Sequence, residues 1–217
     1  MKNLILIFAV ALFSTQLLSQ DITYFFQNLP DEALFDISKE DRKKIANNHS
    51  EEMVMIGDNP VSFETEDSKF GYLIGPFELS VRIKIWELSN GNKLIAVHKS
   101  NGTLNVCYSE FHFYNYNGKK FKLLNNLDVL PLEYTWQDFF RGNYEDNMNR
   151  IIQEVDYPIC FMEDMSPKGS SIYVDFGLGS IVGRSSYEKY GIIGDRMELI
   201  WNDGKFTEGK VSWSERE

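Results

Sequence analysis

Three Asn-Gly dipeptides fall within one stretch of about forty residues, at Asn90-Gly91, Asn101-Gly102 and Asn117-Gly118, each flanked by apolar runs. A tight hairpin with native twist needs positive φ at its central positions, which Asn tolerates and Gly adopts freely. The stretch from Val81 to Leu124 is therefore read as four antiparallel strands joined by three corners. Two-residue turns would set Lys84 opposite Val97, Trp86 opposite Ile95, Val97 opposite Val106, Ile95 opposite Tyr108 and Lys93 opposite Glu110. The last pair is a favourable cross-strand contact worth about 0.5 kcal/mol.

In that register one face carries Trp86, Ile95, Val97, Val106 and Tyr108, and the other Val81, Ile83, Ile85, Leu94, Ala96 and Cys107. Both faces are apolar, so a layer is required on each. Leu104, Val106 and Tyr108 are even-numbered whereas Phe111 and Phe113 are odd, and a bulge near Ser109-Glu110 is expected to account for the switch.

Outside the meander the pattern is weaker. Ile22 to Phe26 is an apolar leading segment stopped by Pro30, and Asp31 to Phe35 has room for one helical turn. Ser38 with Asp41 three residues on resembles a capping box and opens a short helix to Asn47 or Asn48. Two or three short strands fit between Met53 and Phe77. Thr135 is an N-cap candidate for Trp136–Phe140, and Gly142 ends that turn. Tyr144 to Val155 places Met148, Ile151, Ile152 and Val155 at helical spacing, which predicts a helix covering one sheet face. Strands return at Ser171–Phe176 and Met197–Trp201, and Asn202-Asp203-Gly204 turns the chain into Lys205-Phe206. The likeness of that turn to Tyr116–Phe121 is recurrent hairpin chemistry, because two copies about 85 residues apart are too few and too widely spaced for a repeat array. The expected fold is α+β and β-dominated, an antiparallel meander sheet over about 81–124 plus C-terminal strands, with a few short helices packed on it.

Residues 1–19 comprise Lys2, an apolar run from Leu4 to Leu12 and a small-residue exit at Ser19, the pattern of a secretory signal peptide. The run is too short to span a bilayer, and no later stretch is long enough. The expectation is an exported protein, periplasmic or extracellular, with residues 20–217 forming one globular domain. Cys107 and Cys160 are then free to form a disulfide, which would contribute about 4 kcal/mol on the chain-entropy model. Their apolar neighbours equally suit two buried thiols.

Phe26-Gln-Asn-Leu-Pro30-Asp31, with Leu34 and then Ser38 to Arg42, resembles the start of a family of uncharacterised secreted proteins from Gram-negative bacteria, known as a domain of unknown function. The resemblance lies mainly in residues 22–45, with a second similarity at Pro131-Leu132 and Asp138-Phe139. It implies export and brings no activity, cofactor or catalytic residue.

The chemistry visible in the chain is sparse. A net charge of −10 argues against nucleic acid, which needs clustered Lys and Arg. The longest basic run, Arg42-Lys43-Lys44, reads as a solvated helix face. Gly177-Leu-Gly179-Ser-Ile-Val-Gly183 has its third glycine one place late for a dinucleotide fingerprint and is followed by no apolar helix, so no cofactor is expected. His49, His98 and His112 have no metal-ligand or triad spacing. The acid pairs Glu51-Glu52, Glu145-Asp146 and Glu163-Asp164 read as solvated surface. Tyr114 and Tyr116, beside a turn, and Trp201 are the candidates for a partly exposed aromatic contact surface for an unknown protein or carbohydrate. A non-catalytic binding protein is the preferred expectation, and an exported hydrolase such as a glycosidase using paired carboxylates is the alternative.

Overall fold

The computed structural model describes residues 20–48, 53–75, 79–101, 108–131, 135–154, 160–177 and 188–214. Two antiparallel sheets account for most of them. The first has seven strands in sequential order: β1 (Val54–Ile56), β2 (Asn59–Thr65), β3 (Phe70–Ile74), β4 (Leu79–Glu87), β5 (Lys93–Asn101), β6 (Tyr108–Tyr116) and β7 (Phe121–Leu123). The second has four: β8 (Cys160–Met165), β9 (Ile172–Gly177), β10 (Arg196–Asn202) and β11 (Lys205–Ser212). The α+β, β-dominated meander is thus present. The C-terminal strands, however, do not extend the first sheet but form a separate one that packs against it.

Helices cover the opposite face of the large sheet. Asp21 caps α1 (Ile22–Asn28), its side chain accepting from the Tyr24 amide at 3.0 Å, so the leading segment is helical. Ser38 caps α2 (Lys39–Ala46), accepting from the Asp41 amide at 3.2 Å while its hydroxyl donates to Asp41 at 2.8 Å. A 3₁₀ turn over Asp31–Leu34 joins the two.

Strands β4 to β6 consequently have two buried faces. Val81, Ile83, Ile85, Ile95, Val97, Tyr114 and Tyr116 meet Phe25, Phe26, Leu34 and Ile45 of the helical layer. Trp86, Leu94, Ala96, Phe111 and Phe113 meet Ile172, Val174, Phe176, Met197, Leu199 and Phe206 of the small sheet. Each large apolar side chain so buried contributes roughly 1.5–3 kcal/mol. The third helix, α3 (Tyr144–Glu154), buries Ile151 in this second core. Ile152 points away and is 63% exposed, so the apolar stripe expected on α3 is narrower than its spacing suggests.

The register differs from expectation at each Asn-Gly corner. Between β4 and β5, Glu87 pairs with Lys93 and Trp86 with Leu94. The amide of Leu88 donates to Asn92 at 2.9 Å, and that of Gly91 to Leu88 at 2.9 Å, with Gly91 at φ +81°. This is a three-residue loop, Ser89-Asn90-Gly91, with its glycine in the left-handed region. One added residue moves every side chain of β5 to the other face, which is why Trp86 packs beside Leu94 rather than Ile95.

Strand β5 runs on through Asn101, which pairs with Tyr108, so no two-residue turn forms at Asn101-Gly102. Glu110 faces Lys99 instead of Lys93, and Lys93 faces Tyr116. Val97 faces His112 rather than Val106, and Ile95 faces Tyr114 rather than Tyr108. No bulge occurs at Ser109-Glu110, since the β5–β6 ladder is regular from Tyr108 to Tyr116. With both faces of β6 buried, odd and even positions are apolar without any register shift.

At the third corner Tyr116 pairs with Phe121, which places Gly118 and Lys119 at the centre of the turn. The β10–β11 turn instead centres on Asp203 and Gly204, at φ +40° and +99°. The glycine therefore occupies different positions in the two turns. A ladder shift lies in this hairpin, between Met197 and Leu199, where a Cβ on Gly209 would come within 2.5 Å of the Glu198 carbonyl oxygen.

Candidate functional site

Tyr114 and Tyr116 do not form an exposed patch. Each is 2% exposed, on the face of β6 beneath the helical layer. The Tyr116 hydroxyl lies 2.9 Å from that of Tyr24 and accepts from Gln20 Nε2 at 3.2 Å, and its ring meets Phe25 edge-on with centroids 5.1 Å apart. Burial, reinforced by the bond with Tyr24, pushes the Tyr116 phenol up to about 12. Burial also raises Tyr114. Tyr116 seats α1 on the sheet, and Tyr114 packs edge-on against Phe121 in the same core.

Trp201 belongs to the other side of the molecule. It is half-buried at the end of β10, stacked on Trp86 with centroids 5.5 Å apart and planes 29° off parallel, and 5.1 Å from Phe206. Beside this pair lies a groove of about 490 Å³ lined by Asp67, Lys69, Lys84, Ile85, Trp86, Glu87, Pro167, Lys168, Gly169, Ser170 and Trp201.

Four chain segments far apart in sequence build it, and polar contacts fix each. Asp67 Oδ1 accepts from the amides of Lys69 at 2.6 Å and Phe70 at 2.8 Å, shaping the turn into β3. Lys69 Nζ lies 3.4 Å from Glu87, closing one rim. The β8–β9 loop is held at both ends by β4, because Lys84 Nζ donates to the Ser166 carbonyl and Trp86 Nε1 to the Ser170 carbonyl at 2.8 Å. Asp203, next to Trp201, accepts from the Ser89 amide at 2.9 Å and hydroxyl at 2.6 Å, tying the β10–β11 turn to the β4–β5 loop.

Lys84 is the unusual member. It is only 3% exposed and rests over the Trp86 ring, 5.4 Å from its centroid. Burial lowers its pKa, and the more distant charges of Asp67 and Asp164 oppose that shift. Sequence reading passed over Lys84 because a lysine on a strand is ordinarily solvated. Its place between Ile83 and Ile85, in a strand apolar on one face, was the available signal.

Among the described residues, the two histidines lie on opposite faces of the large sheet. His98 is fully buried, stacked on Phe111 at 4.6 Å, with Nε2 2.7 Å from Ser109 Oγ. Burial, with Arg82 adding to it, pushes the imidazole down to about 3. A base that weak cannot hold the serine proton at neutral pH. His112 Nε2 lies 3.0 Å from Glu110 on the opposite face of the sheet, and His49 is outside the described residues.

Among the described residues, several carboxylates are held in ion pairs. Asp164 pairs with Arg82, Asp175 receives Arg196 at 2.6 and 2.8 Å, and Glu154 takes Lys189 at 2.5 Å and the Tyr190 hydroxyl at 2.7 Å. Glu163 and Asp164 are neighbours on β8, Glu145 and Asp146 sit in the first turn of α3, and Glu51-Glu52 lies outside the described residues. In the groove, Asp67 and Glu87 are exposed and held as acceptors, whereas a general acid needs a desolvated carboxyl.

Among the described residues no three His, Cys, Asp or Glu side chains come together as an ion site, and no helix is long and apolar enough to cross a membrane. The disulfide expected between Cys107 and Cys160 involves a residue outside those described, as does nearly all of the glycine-rich run 177–183.

No protein-family model matches the chain, and no curated protein matches it. Among solved structures, the fold is similar to that of a domain of an uncharacterized protein from Porphyromonas gingivalis W83, with a TM-score of 0.65 at 15% identity, over 87% of this chain and 97% of that one. At that identity the likeness concerns the fold, which this chain shares with an uncharacterised domain.

Proposed function

We propose that the protein is an exported, non-catalytic binding protein whose ligand lies in the groove beside Trp86 and Trp201. The observation that carries this reading is the half-buried Trp201, supported from below by Trp86 and bordered by loops from both sheets. A volume of about 490 Å³ falls in the range of small-ligand sites, which favours a saccharide over a flat protein surface. The carbon–hydrogen face of a pyranose is apolar and weakly positive and complements the negative face of an indole. Binding rather than hydrolysis is favoured because both groove carboxylates are exposed and neither is set up as an acid.

A glycan microarray probed with the purified protein tests this reading. Wild-type protein is expected to bind a subset of oligosaccharides and Trp201→Ala to lose them, with the far-ultraviolet spectrum unchanged. Equal binding by the variant, or release of reducing sugar from bound glycans, overturns it. Export is tested separately by fractionating cells that make the full chain, with a mature N-terminus at Gln20 expected outside the cytoplasm.

A further inference from the structure

Within the groove, which is taken from the preceding reading, the geometry points to a specific ligand class: an acidic saccharide whose carboxylate meets the Lys84 ammonium while a sugar ring lies against Trp201. Two observations carry this. Lys84 is almost fully buried, yet among the described residues its three-proton ammonium donates one hydrogen bond, to the uncharged Ser166 carbonyl, and ion-pairs with no carboxylate. Asp67 and Asp164 act on it only from beyond ion-pair distance, so the buried charge is incompletely compensated, and an anion bound beside it removes the remaining cost.

The second observation is the distribution of charge around it. The whole chain carries −10, but the groove has three lysines against two acids. Lys69 is matched by Glu87 and Asp67 is taken up by two backbone amides. With Asp67 still charged, the groove keeps a net excess of one positive charge, carried by Lys84 and by Lys168, in an acidic protein. An acidic ligand repelled by the rest of the surface is admitted only there. The aromatic platform selects a ring over an extended acidic peptide.

Isothermal titration of the full-length mature protein with trigalacturonic acid, maltotriose and a capped tri-glutamate peptide decides the matter. Trigalacturonic acid is expected to bind about tenfold or more tightly than maltotriose. Lys84→Met should remove that preference, and Lys168→Glu, at an exposed position, should weaken the acidic sugar several-fold and by a larger factor than the neutral one. Equal affinity for the two sugars with Trp201→Ala abolishing both overturns the acidic specificity and leaves the saccharide groove standing. Binding of the peptide but neither sugar overturns the saccharide class, and failure of all three probes with wild-type protein overturns both readings.

Discussion

Arg42 Nη1 donates to the carbonyl of Leu29, the C-terminal cap of α1, at 2.6 Å, and Nη2 reaches Asp31 at 2.5 Å. The arginine is 1% exposed, so the basic run of α2 is not simply a solvated face: its first member turns inward to satisfy helix-end carbonyls that would otherwise be buried and unpaired. Arg42→Ala is expected to cost about 3 kcal/mol in urea unfolding, since it strands the Leu29 carbonyl and opens a void. Asp31→Asn should cost about 1 kcal/mol or less, because Asp31 is 58% exposed and the carbonyl contacts survive.

His98 makes the fold sensitive to acid. Its folded pKa of about 3 lies below the ordinary value of 6.5, so between those limits the unfolded chain binds a proton that the folded one refuses. Stability attributable to this residue is therefore intact above about pH 6.5 and falls by up to about 1.4 kcal/mol per unit as the pH drops towards 3. His98→Gln keeps a partner for Ser109 but does not titrate. Its unfolding free energy should show a shallower pH slope than wild type in that window, and parallel slopes would refute the assignment.

Two glycines should respond unequally to alanine. Gly91, at φ +81°, has open space around an added Cβ, so Gly91→Ala is expected to cost about 1–2 kcal/mol from backbone conformation alone. At Gly209 the added carbon would lie 2.5 Å from the backbone carbonyl oxygen of Glu198, a residue paired with Tyr173 in the β9–β10 ladder. Gly209→Ala should be the more damaging, with a larger fall in Tm by calorimetry.

Tyr116→Phe removes the hydroxyl shared with Tyr24 and Gln20 and should cost about 1 kcal/mol. In a spectrophotometric titration at alkaline pH it should also delete the phenol that ionises near 12. Loss of an earlier-titrating tyrosine would contradict the buried pairing.

The hairpins were legible in the sequence because turn chemistry is local: Asn90-Gly91 and Asp203-Gly204 readily admit the positive φ that Gly91, Asp203 and Gly204 adopt, and Ser38 with Asp41 sets a helix start without help from the rest of the chain. The strand pairings were not, since the same Asn-Gly dipeptide closes a three-residue loop at Gly91 while the third corner centres on Gly118-Lys119, and each extra residue exchanges the two faces of a strand. Burial on both sides of β6 concealed Tyr114 and Tyr116 in the core beneath the helical layer, because only the docking of helices and a second sheet decides which face of an aromatic strand meets water. The groove depends on tertiary structure most of all. Asp67, Lys84, Lys168 and Trp201 are separated by long spans of chain, and the buried amine of Lys84 becomes distinctive only when the β8–β9 loop is laid across it.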